Sequence, residues 1–440
     1  MACASINEYD SGSDEISDTV TVELIKSRAE KGDINDECSS LRASLEESFQ
    51  RHGVKGISDS IRDKMHSWKN ETLNIAVTGR SGVGKSTFIN AIRNDMNELQ
   101  PGYAPVGHKE CTKTRKPYTH PNNELLTFWD LPGVGTDTFP RQTYLKHTEI
   151  NFQMYDMFII MACDRFTQDE SWLAEEIKKT GRPYLFVRSK VDAQIDSDAI
   201  QKRKASKEPY PSAVIKEIRE DCEQHLPKEK DIYLINSNDI HYTNLDFPDL
   251  ILRLVDGFSG LKSEAILYSI DFLTPDILQR KINSLRKRIW GMGALSSITG
   301  AVPFPGTSLV ADALLIVNET RLYRKQLGLS DNDMEALSDM MNLPIDRLAA
   351  EYSLESLALS FTIKGLMASS VLICSEVIES AVGLAVPVIG MPVGAVLSFI
   401  TTVKLLRSIL AILEKDARIV LNLVLSKTKS SIMKTGVAIN

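Results

Sequence analysis

The sequence predicts an α/β domain, with a mainly parallel sheet and helices on both faces, joined to an all-α domain formed by the N- and C-terminal segments. Two observations predict the sheet. Short apolar runs alternate with amphipathic stretches over the middle of the chain, and these runs are too short to be helices. A third observation predicts the helical domain, because long helical patterns replace the strand pattern after about residue 255.

The N-terminal elements are predicted from charge and apolar spacing. Residues 1–20 hold five carboxylates and no lysine or arginine, which predicts a disordered acidic tail. Over residues 21–70 apolar side chains recur at helical spacing, with Gly32 and Gly53 between the groups. This N-terminal segment is therefore predicted to form short helices.

The central elements follow one another as strand, helix and strand. The predicted strands are Leu73–Thr78, Leu125–Trp129, Asp156–Met161, Pro183–Arg188 and Ile232–Ile235. Amphipathic stretches such as Glu170–Lys179 and Ala213–His225 lie between them, an order typical of a parallel sheet covered by helices. Residues 71–255 are therefore assigned to the α/β domain, and residues 256–440 to the C-terminal helical domain.

Composition excludes several classes of protein. The 440 residues carry 51 Lys+Arg against 58 Asp+Glu, a net charge of −7, and 43% of them are hydrophobic. These values are typical of a globular chain, and the mildly acidic balance gives no overall attraction to nucleic acid. The six cysteines form no CxxC pair, so neither a disulfide framework nor a zinc site is expected. The first 20 residues lack a signal-peptide pattern, and we expect a cytoplasmic protein.

A phosphate-binding loop is predicted directly after the first strand. Residues 79–86 match the pattern GxxxxGK[ST], and a helical pattern follows them. Backbone N–H groups of such a loop bind phosphate oxygens, its lysine bridges the β- and γ-phosphates, and its serine hydroxyl binds Mg²⁺. The predicted nucleotide-binding residues here are Gly79, Arg80, Ser81, Gly82, Val83, Gly84, Lys85, Ser86 and Thr87.

A second phosphate motif, Asp130-Leu131-Pro132-Gly133, follows the second predicted strand. Asp130 is expected to hold Mg²⁺ through a water molecule, and the Gly133 N–H is expected to meet the γ-phosphate. The pattern DxxG is weak by itself, but a GTPase needs it at this distance after the phosphate loop. A Mg²⁺-binding threonine must lie between the two motifs, and Thr112 and Thr114 are the candidates.

A guanine-reading motif, Ser189-Lys190-Val191-Asp192, follows the fourth predicted strand. The Asp192 carboxylate would accept two hydrogen bonds from guanine, and the Lys190 stem would cover the ring. Adenine lacks both donors, so the motif predicts preference for GTP over ATP. Ser237 and Asn238 follow the fifth strand and would supply a backbone contact to guanine.

Beyond these motifs the chain resembles the immunity-related, interferon-inducible GTPase family over about residues 60–420. The resemblance rests on the runs at residues 127–135, 165–167, 186–192, 217–222, 233–238, 281–290 and 303–306. In this family a switch loop lies between the phosphate loop and the DxxG motif, and it ends in Glu-x-Thr. Glu110-Cys111-Thr112 matches that ending, so the resemblance favours Thr112 over Thr114.

The resemblance implies a Ras-like GTPase domain with a helical domain built from both termini. It also implies GTP-dependent self-assembly, with copies of the chain and with related family members, and cell-autonomous defence at internal or pathogen-containing membranes. Lys85 places the chain with the family members that keep the loop lysine. The chain begins Met1-Ala2-Cys3 rather than Met-Gly, so N-myristoylation is not expected.

Hydrolysis is expected to be slow in a single chain. Val134 and Gly135 follow Gly133, so the glutamine that orients water in Ras-type enzymes is missing there. The resemblance implies that Glu110 acts at a dimer interface across the nucleotide, and Arg80 would add positive charge unless it faces solvent or forms a salt bridge. The candidate catalytic residues are Glu110, Lys85, Thr112 and Arg80.

Two uncharged stretches, Ile289–Ala311 and Ala381–Val403, are long enough to span a bilayer. We predict buried helices instead, because each stretch holds two prolines and several small residues. The basic run from Arg280 to Arg288 would suit peripheral membrane contact, but a solvated helix face is the favoured interpretation. Two alternatives to an assembling GTPase are a GTP-gated scaffold with negligible hydrolysis and a septin- or dynamin-related membrane GTPase.

Overall fold

A computed structural model of the protein describes residues 47, 50–52, 63, 66–94, 98, 102–107, 114–135, 139–144, 151–204, 211–226, 231–239, 245–271, 273–300, 307–358 and 393–437. The predicted acidic tail, most of the N-terminal helical segment, Glu110, Thr112 and residues 381–392 lie outside this range. The chain divides into two compact units. The first comprises residues 1–64, 287–321 and 359–410, and the second comprises residues 65–286, 322–358 and 411–440. The domain boundaries at residues 20, 70 and 255 remain predictions.

The second unit contains a six-stranded sheet in the order β2-β3-β1-β4-β5-β6. The strands are β1 (Leu73–Gly79), β2 (Lys116–His120), β3 (Asn123–Asp130), β4 (Met157–Ala162), β5 (Tyr184–Arg188) and β6 (Ile232–Leu234). All pairs are parallel except β2 with β3, which is antiparallel. The predicted, mainly parallel sheet is therefore confirmed.

Burial explains which strands the sequence reveals. All six residues of β4 are buried, as a central parallel strand covered on both faces requires. The edge strand β2 instead has alternating exposure and contains Pro117, a residue that sheets tolerate at their edges. Its polar, proline-containing sequence is the reason that this strand was not predicted.

The second unit also contains the helices that cover the sheet and those that directly follow its last strand. They are α1 (Lys85–Ile92), α2 (Arg141–Tyr144), α3 (Gln168–Lys179), α4 (Val191–Lys204), α5 (Pro211–His225), α6 (Phe247–Asp256) and α7 (Gly260–Ser269). A capping box starts α3, since the Thr167 hydroxyl accepts from the Asp169 N–H and the Glu170 carboxylate accepts from the Thr167 N–H. Helix α4 was not predicted, because its long polar stretch lacks an apolar stripe.

The remaining helices are α8 (Pro275–Gly300), α9 (Thr307–Gln326), α10 (Asp331–Met341), α11 (Ile345–Tyr352), α12 (Glu355–Ala358) and α13 (Val393–Val437). In the first unit, the Ser296 hydroxyl contacts Asp312 Oδ1 at 2.7 Å and Thr402 Oγ1 at 2.8 Å. A buried ion pair joins Arg288 to Glu319 at 2.8 Å. These buried polar side chains of the first unit are thus paired with one another.

The basic run at the start of α8 contacts protein. Lys281 is buried, Arg280 pairs with Asp256, and Arg286 donates to Glu414 at 2.6 Å. Arg280, Arg286 and Lys287 are nevertheless exposed, so this part of the helix keeps the solvated face that the sequence favoured. Peripheral membrane contact stays a prediction. Among the helices that the structure describes, we find none with the length and hydropathy needed to cross a membrane.

Candidate nucleotide-binding site

The phosphate loop begins where β1 ends and closes at the first turn of α1. Gly79 has φ +139°, and a Cβ atom there would lie 2.1 Å from the Met161 carbonyl oxygen on the neighbouring strand. Only glycine fits such a close approach of two backbones. The loop path is therefore fixed by its contact with β4.

Lys85 lies inside the loop that precedes it. Its ammonium group donates to the Arg80 carbonyl at 3.1 Å and lies 3.4 Å from the Gly79 carbonyl, and only 7% of the residue is exposed. The side chain is thereby held along the curve of the loop. A buried ammonium group here can balance the charge of phosphate oxygens. Arg80 itself is exposed.

Ser86 and Asp130 meet beside the loop. The Ser86 hydroxyl donates to Asp130 Oδ2 at 2.7 Å, and Asp130 is 1% exposed. A hydroxyl and a carboxylate are hard oxygen ligands of the kind that Mg²⁺ prefers. The residues present therefore fit a magnesium site, in which Ser86 would bind the ion directly and Asp130 would hold it through water.

The segment after Asp130 is fastened to the end of β1. The Leu131 N–H donates to the Val77 carbonyl at 3.0 Å, and the Val134 N–H donates to the Gly79 carbonyl at 3.3 Å. Between them, a Cβ atom on Gly133 would lie 2.6 Å from the Ser81 backbone nitrogen. Glycine at position 133 is what lets this motif touch the phosphate loop.

The guanine motif touches the same loop from the other side. The Ser189 hydroxyl lies 2.5 Å from the Val83 carbonyl oxygen, and Lys190 Nζ donates to the Gly82 carbonyl at 2.8 Å. Lys190 adopts a left-handed backbone, with φ +57°. Asp192 is half-buried in the first turn of α4. The Ser189 and Lys190 side chains thus lie against the phosphate loop.

Strand β6 places Ser237 and Asn238 next to the guanine motif that follows β5. The Ile235 N–H donates to the Arg188 carbonyl at 2.8 Å. Ser237 is 8% exposed, whereas Asn238 is exposed, and its N–H donates to the Asn236 side-chain oxygen at 2.9 Å. This arrangement is an Asx turn, which presents backbone groups after the strand.

The structure therefore brings together every predicted nucleotide-binding residue from Gly79 to Thr87 with Asp130, Gly133, Ser189 and Lys190. It does not describe Glu110 or Thr112. Thr114, the alternative threonine, is described and is exposed two residues before β2.

Sequence reasoning missed two polar side chains, Asn90 on α1 and Arg93 directly after it. Asn90 is 1% exposed and makes a pair of hydrogen bonds with Ala104, from Nδ2 to the carbonyl at 2.9 Å and from the Ala104 N–H to Oδ1 at 2.8 Å. Arg93 donates to the Gly102 and Thr119 carbonyls, both at 2.8 Å. A buried polar residue within the apolar run Phe88–Ile92 was the available signal.

A third missed residue is Tyr144. Its ring is completely buried, and its hydroxyl donates to the Pro132 carbonyl at 3.0 Å and lies 3.3 Å from Thr78 Oγ1. Burial raises the pKa of Tyr144 above its ordinary value, so the phenol keeps its proton. Nothing in the sequence pattern marks this tyrosine, because its partners lie 12 and 66 residues away.

Comparisons with known proteins show which family the chain belongs to. The family model of the interferon-inducible GTPases (IIGP) matches residues 40–424. The chain is 34% identical over 327 residues to the mouse T-cell-specific guanine nucleotide triphosphate-binding protein 2, covering 71% of this chain and 75% of that protein.

Two other relatives are similar. Mouse interferon-inducible GTPase 1 is 30% identical over 311 residues, covering 70% of this chain and 73% of its own length. Rat interferon-inducible GTPase 5 is 30% identical over 301 residues, covering 68% of this chain and 63% of that protein. The chain is thus a GTP-binding hydrolase, and it belongs to the interferon-inducible GTPase family.

Proposed function

We propose that this chain binds GTP with Mg²⁺ at the site described above. Residues 79–87 surround the phosphates, with Lys85 between the β- and γ-phosphates. Asp192 reads guanine, the Lys190 stem covers the guanine ring, and the backbone at Ser237 and Asn238 completes the base pocket. One observation carries the assignment: two motifs that lie far apart in the sequence contact one loop. The first does so through Asp130 on Ser86 and Gly133 beside Ser81, and the second through Lys190 on Gly82.

The chemistry of this arrangement is phosphoryl transfer to water. Bound Mg²⁺ supplies charge neutralisation at the phosphate oxygens. Ser86, Thr112 and Asp130 are the proposed residues that hold it. Lys85 stabilises negative charge that develops on the transferred group, and the Gly133 N–H binds the γ-phosphate.

The experiment that tests this proposal changes Asp192 to Asn. The carboxylate accepts from both guanine N1–H and the exocyclic amine, whereas an amide accepts from only one. We expect Asp192→Asn to weaken GDP binding about a hundredfold or more and to gain affinity for xanthosine diphosphate, whose C2 carbonyl accepts from the new amide. Competition binding against a fluorescent nucleotide measures both changes.

The matched control is Asp196→Asn, an exposed position on the same helix. It makes the same change of charge and should leave nucleotide preference unaltered. A wild-type protein that binds ATP and GTP equally, or an Asp192→Asn variant that keeps its guanine preference, would contradict the assignment.

We further propose that a second copy of the chain completes the catalytic site in the GTP state. Neither Val134 nor Gly135 carries a group that can orient water, and a Cβ atom on Gly135 would lie 2.5 Å from Asp169 Oδ2. Arg80 is exposed on the phosphate loop, where a partner can approach it. Glu110, in the proposed switch loop, is the other group expected at the contact between copies.

The biological setting follows from the family. We propose that the protein acts in cell-autonomous innate defence, at internal or pathogen-containing membranes, as a cytoplasmic protein with peripheral membrane contact. The names of the relatives, interferon-inducible GTPases, support the immune role. Recovery of the protein on isolated membranes after loading with a GTP analogue, compared with GDP, tests the membrane contact.

A further inference from the structure

Tyr144 occupies an unusual place for a side chain outside the nucleotide motifs. It ends the short helix α2 and is fully buried, with edge-on ring contacts to Phe139 at 6.4 Å and Trp172 at 6.2 Å between centroids. Its hydroxyl reaches between the end of β1 and the motif that follows β3. The side chain therefore touches both segments that border the phosphates.

The hydrogen bonds of this hydroxyl have a defined direction. A phenol has one proton, and the Tyr144 hydroxyl donates it to the Pro132 carbonyl at 3.0 Å. The Thr78 hydroxyl, 3.3 Å away, is then the donor to the phenol oxygen. A short chain of hydrogen bonds thus runs from Thr78, the residue before Gly79, to the carbonyl of Pro132.

The Pro132 carbonyl and the Gly133 N–H belong to the same peptide unit. A peptide unit is planar, and in its trans form the C=O and N–H bonds point in opposite directions. A donor that fixes the carbonyl therefore fixes the direction of the N–H. The backbone bonds of Leu131 and Val134 hold the segment on either side, but neither sets the rotation of this peptide plane.

We propose that Tyr144 is a positioning residue for the γ-phosphate, which orients the Pro132–Gly133 peptide so that the Gly133 N–H faces the phosphate loop. The inference rests on the proposed function, in which that N–H binds the γ-phosphate. GDP has no γ-phosphate, so Tyr144 distinguishes the triphosphate from the diphosphate without touching either. Thr78 supports the same role by orienting the phenol.

The test compares affinities for GDP and for a non-hydrolysable GTP analogue, both with Mg²⁺, in Tyr144→Phe. The variant keeps the buried ring and loses only the hydroxyl. One neutral hydrogen bond corresponds to roughly a three- to tenfold change, so we expect the GTP-analogue affinity to fall by about that factor. GDP affinity should change less than about twofold, and the single-turnover rate of hydrolysis should fall with the analogue affinity.

The control is Tyr268→Phe, which removes a buried hydroxyl that bonds to Ser284 Oγ at 2.8 Å, far along the chain from the site. It should leave the ratio of the two affinities at the wild-type value. A purely structural role for Tyr144 would weaken binding of both nucleotides by the same factor, and such an unchanged ratio would overturn the proposal.

A second variant covers the case in which Tyr144→Phe does not fold. Thr78→Val removes the donor to the phenol oxygen while keeping the side-chain volume, and we expect the same shift in the ratio at a smaller size. No shift in Thr78→Val would then overturn the proposal. Failure of the proposed function has a separate signature, which is a wild-type protein without preference for guanine over adenine nucleotides.

Discussion

His120, at the end of β2, is a buried histidine held in its neutral form. It is 2% exposed, and its Nδ1 atom accepts a hydrogen bond from the Asn122 N–H at 3.2 Å. Burial is the main cause that lowers the pKa of His120 to about 4, with Arg93 and Lys325 also lowering it and Asp271 opposing. A protonated imidazole carries a hydrogen on Nδ1, so it could no longer accept the hydrogen bond from the Asn122 N–H.

This pKa predicts a loss of stability in mild acid. The pKa of His120 in the folded chain lies below its value of about 6.5 in the unfolded chain. Between these two values the unfolded chain binds a proton that the folded chain does not bind. The free energy of unfolding therefore falls as pH falls from about 6.5 toward 4. Between pH 7 and pH 4.5 this histidine should remove roughly 2 kcal/mol from the free energy of unfolding. Urea unfolding at the two pH values measures the fall.

The control for this pH effect is His120→Asn, whose side-chain oxygen can still accept from the Asn122 N–H. Other groups titrate in the variant as they do in the wild type, so the difference between the two falls isolates His120. Equal falls in the two proteins would show that His120 is not the group responsible.

Residue by residue, the sequence predicts those site positions whose chemistry is local. Lys85 and Ser86 are recognised because the turn, the charge and the hydroxyl occur within one short pattern. Tyr144 and Asn90 act through backbone groups that only the fold brings near, so their neighbours in the sequence give no indication of the role. Spacing along the chain identifies residues that act within one short motif, but it does not identify residues whose partners are distant in the sequence.

At the scale of elements, helix α1 holds the start of the proposed switch loop. The Asn90 side chain forms hydrogen bonds with both the N–H and the carbonyl of Ala104, and Arg93 donates a hydrogen bond to the carbonyl of Gly102. Both side chains are buried, so the hydrogen bonds are shielded from water. The segment that leads to Thr112 therefore starts from a position fixed by the same helix that begins at Lys85.

This anchoring predicts a nucleotide-specific effect of Asn90→Ala. The substitution leaves the Ala104 N–H and carbonyl without their Asn90 partners and loosens the entry to the proposed switch loop, which we expect to contact the γ-phosphate and Mg²⁺. We expect binding of a GTP analogue with Mg²⁺ to weaken about tenfold, while GDP binding weakens less. Titration calorimetry with each nucleotide measures the two affinities.

A second variant for this test is Asn90→Asp, which keeps an acceptor for the Ala104 N–H but sets a buried carboxylate oxygen against the Ala104 carbonyl. Its effect on binding of the GTP analogue should equal or exceed that of Asn90→Ala. Equal weakening of GDP and the GTP analogue in Asn90→Ala would mean that Asn90 stabilises the fold without positioning the switch loop.

The elements themselves were predictable in proportion to their burial. The five predicted strands are those with apolar runs, and β4 is buried along its whole length. The strand that the sequence does not predict, β2, is a polar edge strand, and α4 carries mostly charged and amide side chains. Tertiary pairing with β3 makes β2 a strand, and no local pattern records that pairing.

At the scale of the whole molecule, the second compact unit contains every described residue of the nucleotide site, together with helices from the C-terminal part of the chain. Among the described residues of this site, Val134 and Gly135 beside Gly133 carry no group that can orient the attacking water. That group must come either from a part of the same chain outside the described residues, such as the proposed switch loop, or from a second copy.

The two sources predict different responses to protein concentration. If a second copy supplies the group, specific activity rises with concentration, because dimers form by mass action. A charge-stabilising group that is added from a partner is worth ~10³–10⁵ in rate for GTPases in general, so the rise should be large. Turnover measured from about 0.5 to 50 µM protein, well above and below an ordinary micromolar dissociation constant, gives the curve.

Single substitutions identify the residues that act in the assembled state. Glu110→Ala should keep GTP binding and lose the rise of specific activity with concentration, and Arg80→Ala should lose part of it. Glu124→Ala is the matched control, since Glu124 is an exposed carboxylate near the start of β3, at the opposite end of that strand from Asp130. A flat curve in the wild type, with Glu110→Ala indistinguishable from it, would assign the complete site to one chain. Negligible turnover at every concentration would instead favour a GTP-gated scaffold, whose output is the nucleotide-bound shape and not the hydrolysis.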